Sequence, residues 1–434
     1  MPTRILGADA VARLNDYALL GLVQSVEYTP NFNAQDINEL GNSGKVDTSI
    51  EVDFTGSIEL MDSGALPGIL ARMNVQRNAS QVPTGYQYVS GGAGGKNAYT
   101  IADTDMDEMV FDLLIHEKTD QQNWNRTIVL PRAFLTSFSG RADANGTGTA
   151  TLNFASDFVM GLDTPNHDVK SLFATRTTSL TGTTVNNGAT LTNYDVVAVY
   201  INERRFTKVN TAPTYVSGFV SGTGVFTLTT TESYVIPTDA LIRVILYKTT
   251  APSTLFQSVN SGEQGTTARY LKGFQTSIYI APSSVSAPVS SEQWLKVQSC
   301  DWSFDMRNNA LRQIAYNSLG SSVYFRGATY PFDITVNATV NESDWLDWKA
   351  VLDPAVKTFT GDVTNSMYDL APASLKTSFN MVIIQYTRGG SKVAEYRFTD
   401  MRLDNRSQRM TVGDVEQATW TLKGTRYQII GYNS

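Results

Sequence analysis

Cysteine occurs once in this chain of 434 residues, at Cys300, and histidine only twice, at His116 and His167. A single cysteine excludes an intramolecular disulfide framework and any cysteine-clustered zinc site. Charge is scarce too: 17% of residues are charged, against about 25% in an ordinary globular chain. The 34 Lys and Arg against 41 Asp and Glu leave a formal charge of −7, which disfavours binding nucleic acid by phosphate neutralisation. Long apolar runs are missing, since a stretch such as Val196 to Ile201 falls far short of the roughly 18 to 20 residues that span a bilayer. No membrane insertion is expected. The first residues also lack the basic-then-apolar order of a secretory leader, so folding in a cytoplasm is expected. What the chain does have is 41% hydrophobic and 10% aromatic residues, enough to fold, and a length that suits two or three domains.

The chain repeats itself. Leu22-Val23-Gln24-Ser25-Val26-Glu27-Tyr28 and Lys296-Val297-Gln298-Ser299-Cys300-Asp301-Trp302 stand 274 residues apart, and each leads through a polar stretch into a long alternating segment. In the first, Ile50, Val52, Phe54, Ile58 and Leu60 alternate with Ser49, Glu51, Asp53, Thr55, Ser57 and Glu59. In the second, Tyr330, Phe332, Ile334, Val336, Ala338 and Val340 alternate with Thr329, Asp333, Thr335, Asn337 and Thr339, with Pro331 on the polar side. A period of two predicts half-buried strands. Each then meets a helix start: Asp62 before Leu66, Ile69 and Met73, and Asn341 with Asp344 before Trp345, Trp348 and Leu352. Phe111 to Glu117 corresponds to Phe379 to Gln385, and Thr149 to Phe154 to Gln417 to Leu422, both 268 residues on. Four matches in one order predict a duplicated module instead of two unrelated β-domains.

Between the copies, residues 171–264 turn rich in Thr, Ser, Gly and Val, with strands expected at Asp195 to Phe206, Val225 to Thr230 and Ala240 to Lys248. Short, regular turn spacing suggests an Ig-like β-sandwich, with linkers at Thr177 to Gly188 and Thr249 to Thr267. The expected organisation is a mainly β chain with modules at 1–165 and 265–434 around this middle domain. Acidity concentrates in the first module, where 20 acids face 10 bases.

Positive evidence for catalysis, a metal or a cofactor is lacking. His116 falls on the polar side of the Phe111 to Glu117 strand and His167 lies beside Pro165, neither within a motif. Ser90 to Asn97 misses a phosphate loop at both ends, with Ser90 where a glycine is required and Asn97 where a Ser or Thr binds magnesium. Asp103 to Glu108 alternates carboxylates like a calcium loop, but Glu108 replaces the sixth-position glycine and Leu114 the twelfth-position glutamate. Gly41-Asn42-Ser43-Gly44 lacks the strand-to-helix spacing of a nucleophile elbow. A metal-dependent hydrolase would need a ligand cluster that is not there.

The sharper signal is Glu51, Asp53 and Glu59 lined up at alternate positions, because like charges along one face destabilise a strand and a plain solvent face gains from mixed signs. The opening Val-Gln-Ser strand, the extended loop from Pro30 to Asp47, the alternating strand from Thr48 to Met61, the helix after it and the closing strands, all recurring from Lys296 onward, resemble the tail tube proteins of long-tailed bacteriophages with a duplicated tube module. The resemblance covers about residues 15–162 and 268–434. It implies a structural virion protein and not an enzyme: a homotrimer forming pseudo-hexameric rings, stacked into a tube that conducts double-stranded DNA without specific binding. Expected partners are further copies of the chain, a tape-measure protein, and the tail terminator and baseplate or tip proteins. On that reading Ser49, Glu51, Asp53, Thr55, Ser57, Glu59, Asp333, Thr335, Asn337 and Thr339 face the lumen. The loops Asn31 to Asp47 and Asp305 to Ala328 reach the next ring through Phe32, Ile37, Leu40, Leu311, Ile314, Tyr316 and Phe325. The middle domain is similar to the decoration domains on phage tail surfaces and implies a tail without a contractile sheath. Two other readings stay open: a host-surface or glycan-binding tail protein, and the tube of a secretion or contractile particle.

Overall fold

A computed structural model describes residues 10–14, 18–19, 23–38, 45–61, 63–73, 75–77, 83–86, 99–102, 109–118, 124–156, 159–162, 169–184, 191–201, 204–208, 214–230, 234–238, 240–249, 271–283, 294–295, 297–306, 309–312, 323–327, 332–341, 378–409 and 417–432. The chain is mainly antiparallel β. Its first part holds β1 (Ala10–Leu14), β2 (Ala18–Leu19), β3 (Val23–Asn38), β4 (Lys45–Leu60), α1 (Leu66–Met73), β5 (Val75–Arg77), β6 (Pro83–Tyr86), β7 (Tyr99–Ala102), β8 (Val110–Lys118), β9 (Trp124–Asp143), β10 (Thr149–Ser156) and β11 (Met160–Leu162). The middle holds β12 (Val169–Arg176), β13 (Thr181–Thr184), β14 (Tyr194–Ile201), β15 (Arg204–Thr207), β16 (Thr214–Val220), β17 (Val225–Thr230) and β18 (Ile242–Lys248). The last part holds β19 (Thr276–Pro282), β20 (Trp294–Leu295), β21 (Val297–Asp305), β22 (Asn309–Arg312), β23 (Val323–Gly327), β24 (Asp333–Asn341), β25 (Phe379–Tyr386), β26 (Lys392–Arg409), β27 (Gln417–Gly424) and β28 (Arg426–Gly431).

The period-two segments are strands because alternation buries one side and wets the other. Ile58 and Leu60 in β4, and Ile334, Val336, Ala338 and Val340 in β24, are buried, while Thr55, Ser57, Glu59, Thr335, Asn337 and Thr339 are half-buried or exposed. Helix α1 carries Leu66, Ile69, Leu70 and Met73 as a buried stripe. Pro67 is accommodated because the first helical turn has no N–H to give up. The second expected helix, at 341–352, lies outside the described residues beyond Asn341.

Structural pairs run through both outer parts. The bulge between Val23 and Ser25 in β3 against β4 recurs between Val297 and Ser299 in β21 against β24. The bulge between Phe111 and Leu113 in β8 recurs between Phe379 and Met381 in β25. Arg132 (φ 57°) and Asp400 (φ 56°), 268 positions apart, both sit in the left-handed region. In each case the backbone N–H donates to a side-chain oxygen on the preceding strand, Asp112 Oδ1 at 2.8 Å and Asn380 Oδ1 at 3.2 Å. On either side of these positions the long strands β9 and β26 pair with different neighbours. The end of β9 pairs with β10 and β21, and its start with β8 and β11. The end of β26 pairs with β27, and its start with β25 and β28.

The two parts are interlaced. Strands run in the order β3, β4, β10, β9, β21, β24, β27, β26, joined at the middle by β9 and β21. One hydrophobic cluster spans both, from Leu66, Phe111, Phe138 and Phe154 to Trp302, Phe304, Tyr396 and Trp420. Ser63, next to α1, accepts at Oγ from Gln385 Nε2 (2.6 Å) and at its carbonyl from Tyr396 Oη (3.3 Å), and β7 pairs with β28.

The middle strands form a separate seven-stranded sheet, ordered β15, β14, β18, β12, β13, β17, β16, rolled until β15 and β16 approach each other. It encloses its own core of Tyr194, Val196, Phe206, Phe226, Ile242 and Val244. The segment Thr177 to Gly188, expected as a linker, contains β13, which is built into this sheet between β12 and β17. Asp195 to Phe206, expected as one strand, is the β14–β15 hairpin, with Ile201 opposite Arg204. Most of 249–267 lies outside the described residues.

The extensions also differ from the loops expected. β3 continues to Asn38 and β4 starts at Lys45, so Asn31 to Asp47 is largely a two-stranded ribbon. Within Asp305 to Ala328, β22 and β23 pair, with Leu311 opposite Phe325. Both ribbons are ordered by pairing between their two strands, which local propensity does not supply.

Candidate functional site

Among the described side chains, the eight-stranded sheet presents a polar face that runs across all its strands. Its opposite face is apolar and buried: Phe154, Phe138, Ala142, Trp302, Phe304, Val336, Trp420 and Leu422 all point into the core. On the polar face, neighbouring strands set side chains of like character opposite one another. Thr151 is opposite Glu59 and Ser139, Ser139 is opposite Ser303, Ser303 is opposite Thr335, and Thr421 is opposite Asn337.

Side-chain hydrogen bonds organise this surface. Ser25 Oγ donates to Glu59 Oε2 (3.2 Å), Asn153 Nδ2 to Ser137 Oγ (2.8 Å), and Thr421 Oγ1 to Asn337 Oδ1 (2.9 Å). Among side chains described there, the acids Glu27, Glu59, Asp143, Asp301, Asp305 and Asp333 outnumber the bases Arg141, Arg402 and Lys423. At the seam between the two parts, Arg141 Nε lies 3.4 Å from Asp301 Oδ1 and its Nη2 3.7 Å from Asp143 Oδ2. Burial pushes the Asp301 carboxyl up; Arg141 opposes that rise and Asp143 adds to it. Across the seam Phe138 stacks on Phe304 with centroids 4.3 Å apart. Cys300 is buried beneath the sheet, its thiol pushed up first by that burial and then by the Asp301 carboxylate.

Of the expected lumen residues, Thr55, Ser57, Glu59, Asp333, Thr335, Asn337 and Thr339 share this one face. Ser49, Glu51 and Asp53 lie further along β4, where side chains are outside the described set; Glu51 is opposite Asn33 and Asp53 opposite Asn31 in β3. Of the expected inter-ring residues, Phe32 stands opposite Val52 and Ile37 opposite Val46 in the first ribbon, with Leu311 and Phe325 paired in the second. Leu40, Ile314 and Tyr316 lie outside the described residues. The sequence reading missed the contributions of β9, β10, β21 and β27: Ser137, Ser139, Arg141, Asp143, Thr149, Thr151, Asp301, Ser303, Thr419 and Thr421. Their alternation was legible, but which strands adjoin is decided by long-range pairing.

Among the described residues no group of three or more His, Cys, Asp or Glu is placed to hold a metal ion, and no helix is long and apolar enough to cross a membrane. The backbone of His116 in β8 pairs with Val11 and Thr127. His167, Ser90 to Asn97, Asp103 to Glu108 and Gly41 to Gly44 lie outside the described residues.

No family model matches the chain, and no curated protein aligns with its sequence. Among solved structures, it is similar to a chain of the anti-feeding prophage baseplate, at 11% identity and a TM-score of 0.24, over 36% of this chain and 93% of that one. It is similar also to a chain of the sheath-tube complex of an extracellular contractile injection system in the extended state, at 6% identity and a TM-score of 0.24, over 39% and 97%. At that TM-score neither overlay establishes a shared fold.

Proposed function

We propose that this chain is a structural subunit of a phage-type tail tube: three copies close a ring, each giving eight strands to one barrel, and stacked rings form a channel that conducts DNA. The observation that carries the reading is the joining of β9 to β21, which fuses both repeats into one sheet whose described side chains on one side are polar. Such a sheet resembles an arc cut from a barrel. Among the described strands β3 has β4 as its one partner, and the end of β26 has β27, so both ends of the arc offer edges to another chain. Barrel closure removes such edges and sends one set of side chains inward.

In this reading the polar face lines the channel and its excess of carboxylates keeps phosphate backbones from sticking. The ribbons reach neighbouring rings, and the middle domain stands outside on a sheathless tail. The chain catalyses nothing and needs no cofactor; its partners are its own copies, a tape-measure protein, and terminator and baseplate or tip proteins. Native mass spectrometry and negative-stain imaging of the concentrated protein test the proposal. Trimers or hollow filaments with a regular axial repeat are expected. A monomer that persists at high concentration overturns it.

A further inference from the structure

The β9–β21 seam is a template for the contact between copies. Strand β26 repeats β9 with a spacing of 268 residues: Arg409 pairs with Gln417 as Arg141 pairs with Thr149, and both strands shift register at the corresponding place. Strand β3 repeats β21 with a spacing of 274: Val23 pairs with Leu60 and Ser25 with Glu59, as Val297 pairs with Val340 and Ser299 with Thr339. Within the chain, the edge of β9 that corresponds to the open edge of β26 is occupied by β21. The edge of β21 that corresponds to the open edge of β3 is occupied by β9.

We infer that the end of β26 in one copy pairs antiparallel with β3 of the next in the register of the internal seam: Arg409 opposite Glu27, Ser407 opposite Thr29 and Asn405 opposite Asn31. This deepens the ring reading and rests on it. The internal equivalents are Arg141 opposite Asp301, Ser139 opposite Ser303 and Ser137 opposite Asp305. The charge pattern supports the transfer. The internal seam carries a cation and a carboxylate 3.4 Å apart, and the same two register positions hold Arg409 and Glu27, again a cation and a carboxylate. Glu27 and Thr29 are exposed in the single chain.

One difference sets the two seams apart. Met306 N–H donates to Thr136 O across the internal seam (2.9 Å), so even-numbered residues of β21 point their backbone groups at β9. Phe304 is one of these, and its counterpart is Pro30, which has no N–H. The seam between copies therefore lacks one ladder bond, and a proline on an open edge hinders pairing with foreign strands.

The test uses the full chain with Thr29→Cys and Ser407→Cys, which occupy a pair without mutual hydrogen bonds, where Cβ atoms approach closely enough for a disulfide. Cys300 is buried and does not compete. Under mild oxidation, reduction-sensitive dimers and trimers are expected, in at least roughly tenfold excess over the off-register pair Thr29→Cys with Asn405→Cys, whose Cβ atoms lie too far apart. Glu27→Arg or Arg409→Glu alone raises the concentration needed for assembly by roughly tenfold, and the combined reversal restores it. Trimers that form without the in-register cross-link, or with the off-register one dominant, overturn this register and leave the ring reading standing. No oligomer in any variant overturns both.

Discussion

At the residue scale, the first repeat differs from the second where the middle domain attaches. Asp112 and Asn380 do the same backbone work, each accepting from the strongly bent residue of the next strand. Asp112 adds a charge, and Arg243 of the middle domain lies 3.6 Å from its Oδ1, with both side chains almost fully buried. The Arg132 guanidinium sits over Phe134 (4.7 Å) and over Tyr200 of the middle domain (4.6 Å), beside an apolar contact of Leu114 and Val129 with Ala198, Tyr200 and Ile245. Asp112→Asn should therefore keep the backbone hydrogen bond, since an amide oxygen serves at Asn380, yet lose about 3 kcal/mol by removing the carboxylate charge beside the buried Arg243 guanidinium. Urea unfolding should show that loss with secondary structure intact. Adding Arg243→Met should recover most of it, because the buried cation is then gone.

At the element scale, seam and hairpin geometry outweigh composition. Gly140 lies beneath the Trp302 ring, where an added Cβ would fall 2.4 Å from the indole. Gly140→Ala should force β9 and β21 apart and cost about 1–3 kcal/mol, seen as a lower thermal midpoint together with a change in Trp fluorescence. The long strands and their faces could be read directly: Ile334 to Val340 alternates without interruption. The Thr181–Thr184 strand could not, because Thr-Gly-Thr-Thr carries no apolar alternation and is a strand through its pairing with Val225 to Thr227 and Ala174 to Arg176. Loop and linker boundaries fail in sequence for that reason, since pairing supplies the order that local propensity does not.

At the scale of the whole molecule, charge sorts by face. The acidity of residues 1–165 is visible in sequence, whereas the excess of carboxylates on one sheet face needs both repeats, with Asp301, Asp305 and Asp333 joining Glu27, Glu59 and Asp143. Wild-type protein should leave double-stranded DNA unretarded in a gel at physiological salt. Glu59→Lys with Asp333→Lys should create retardation that salt abolishes, with the log-log slope steepening by about 0.9 per phosphate newly neutralised. Wild-type binding that survives salt would count against a repelling wall.

The sequence by itself determined the β class and the repeated order of strands, because period-two burial and turn residues are local and leave their marks within a few positions. Tertiary structure alone decided that β9 meets β21, that one core serves both repeats and that, among the described strands, β3 and the end of β26 stand at the two ends of the eight-stranded order. Strand edges carry backbone groups common to every residue, so the choice of neighbour rests on packing and pairing between segments far apart in the chain.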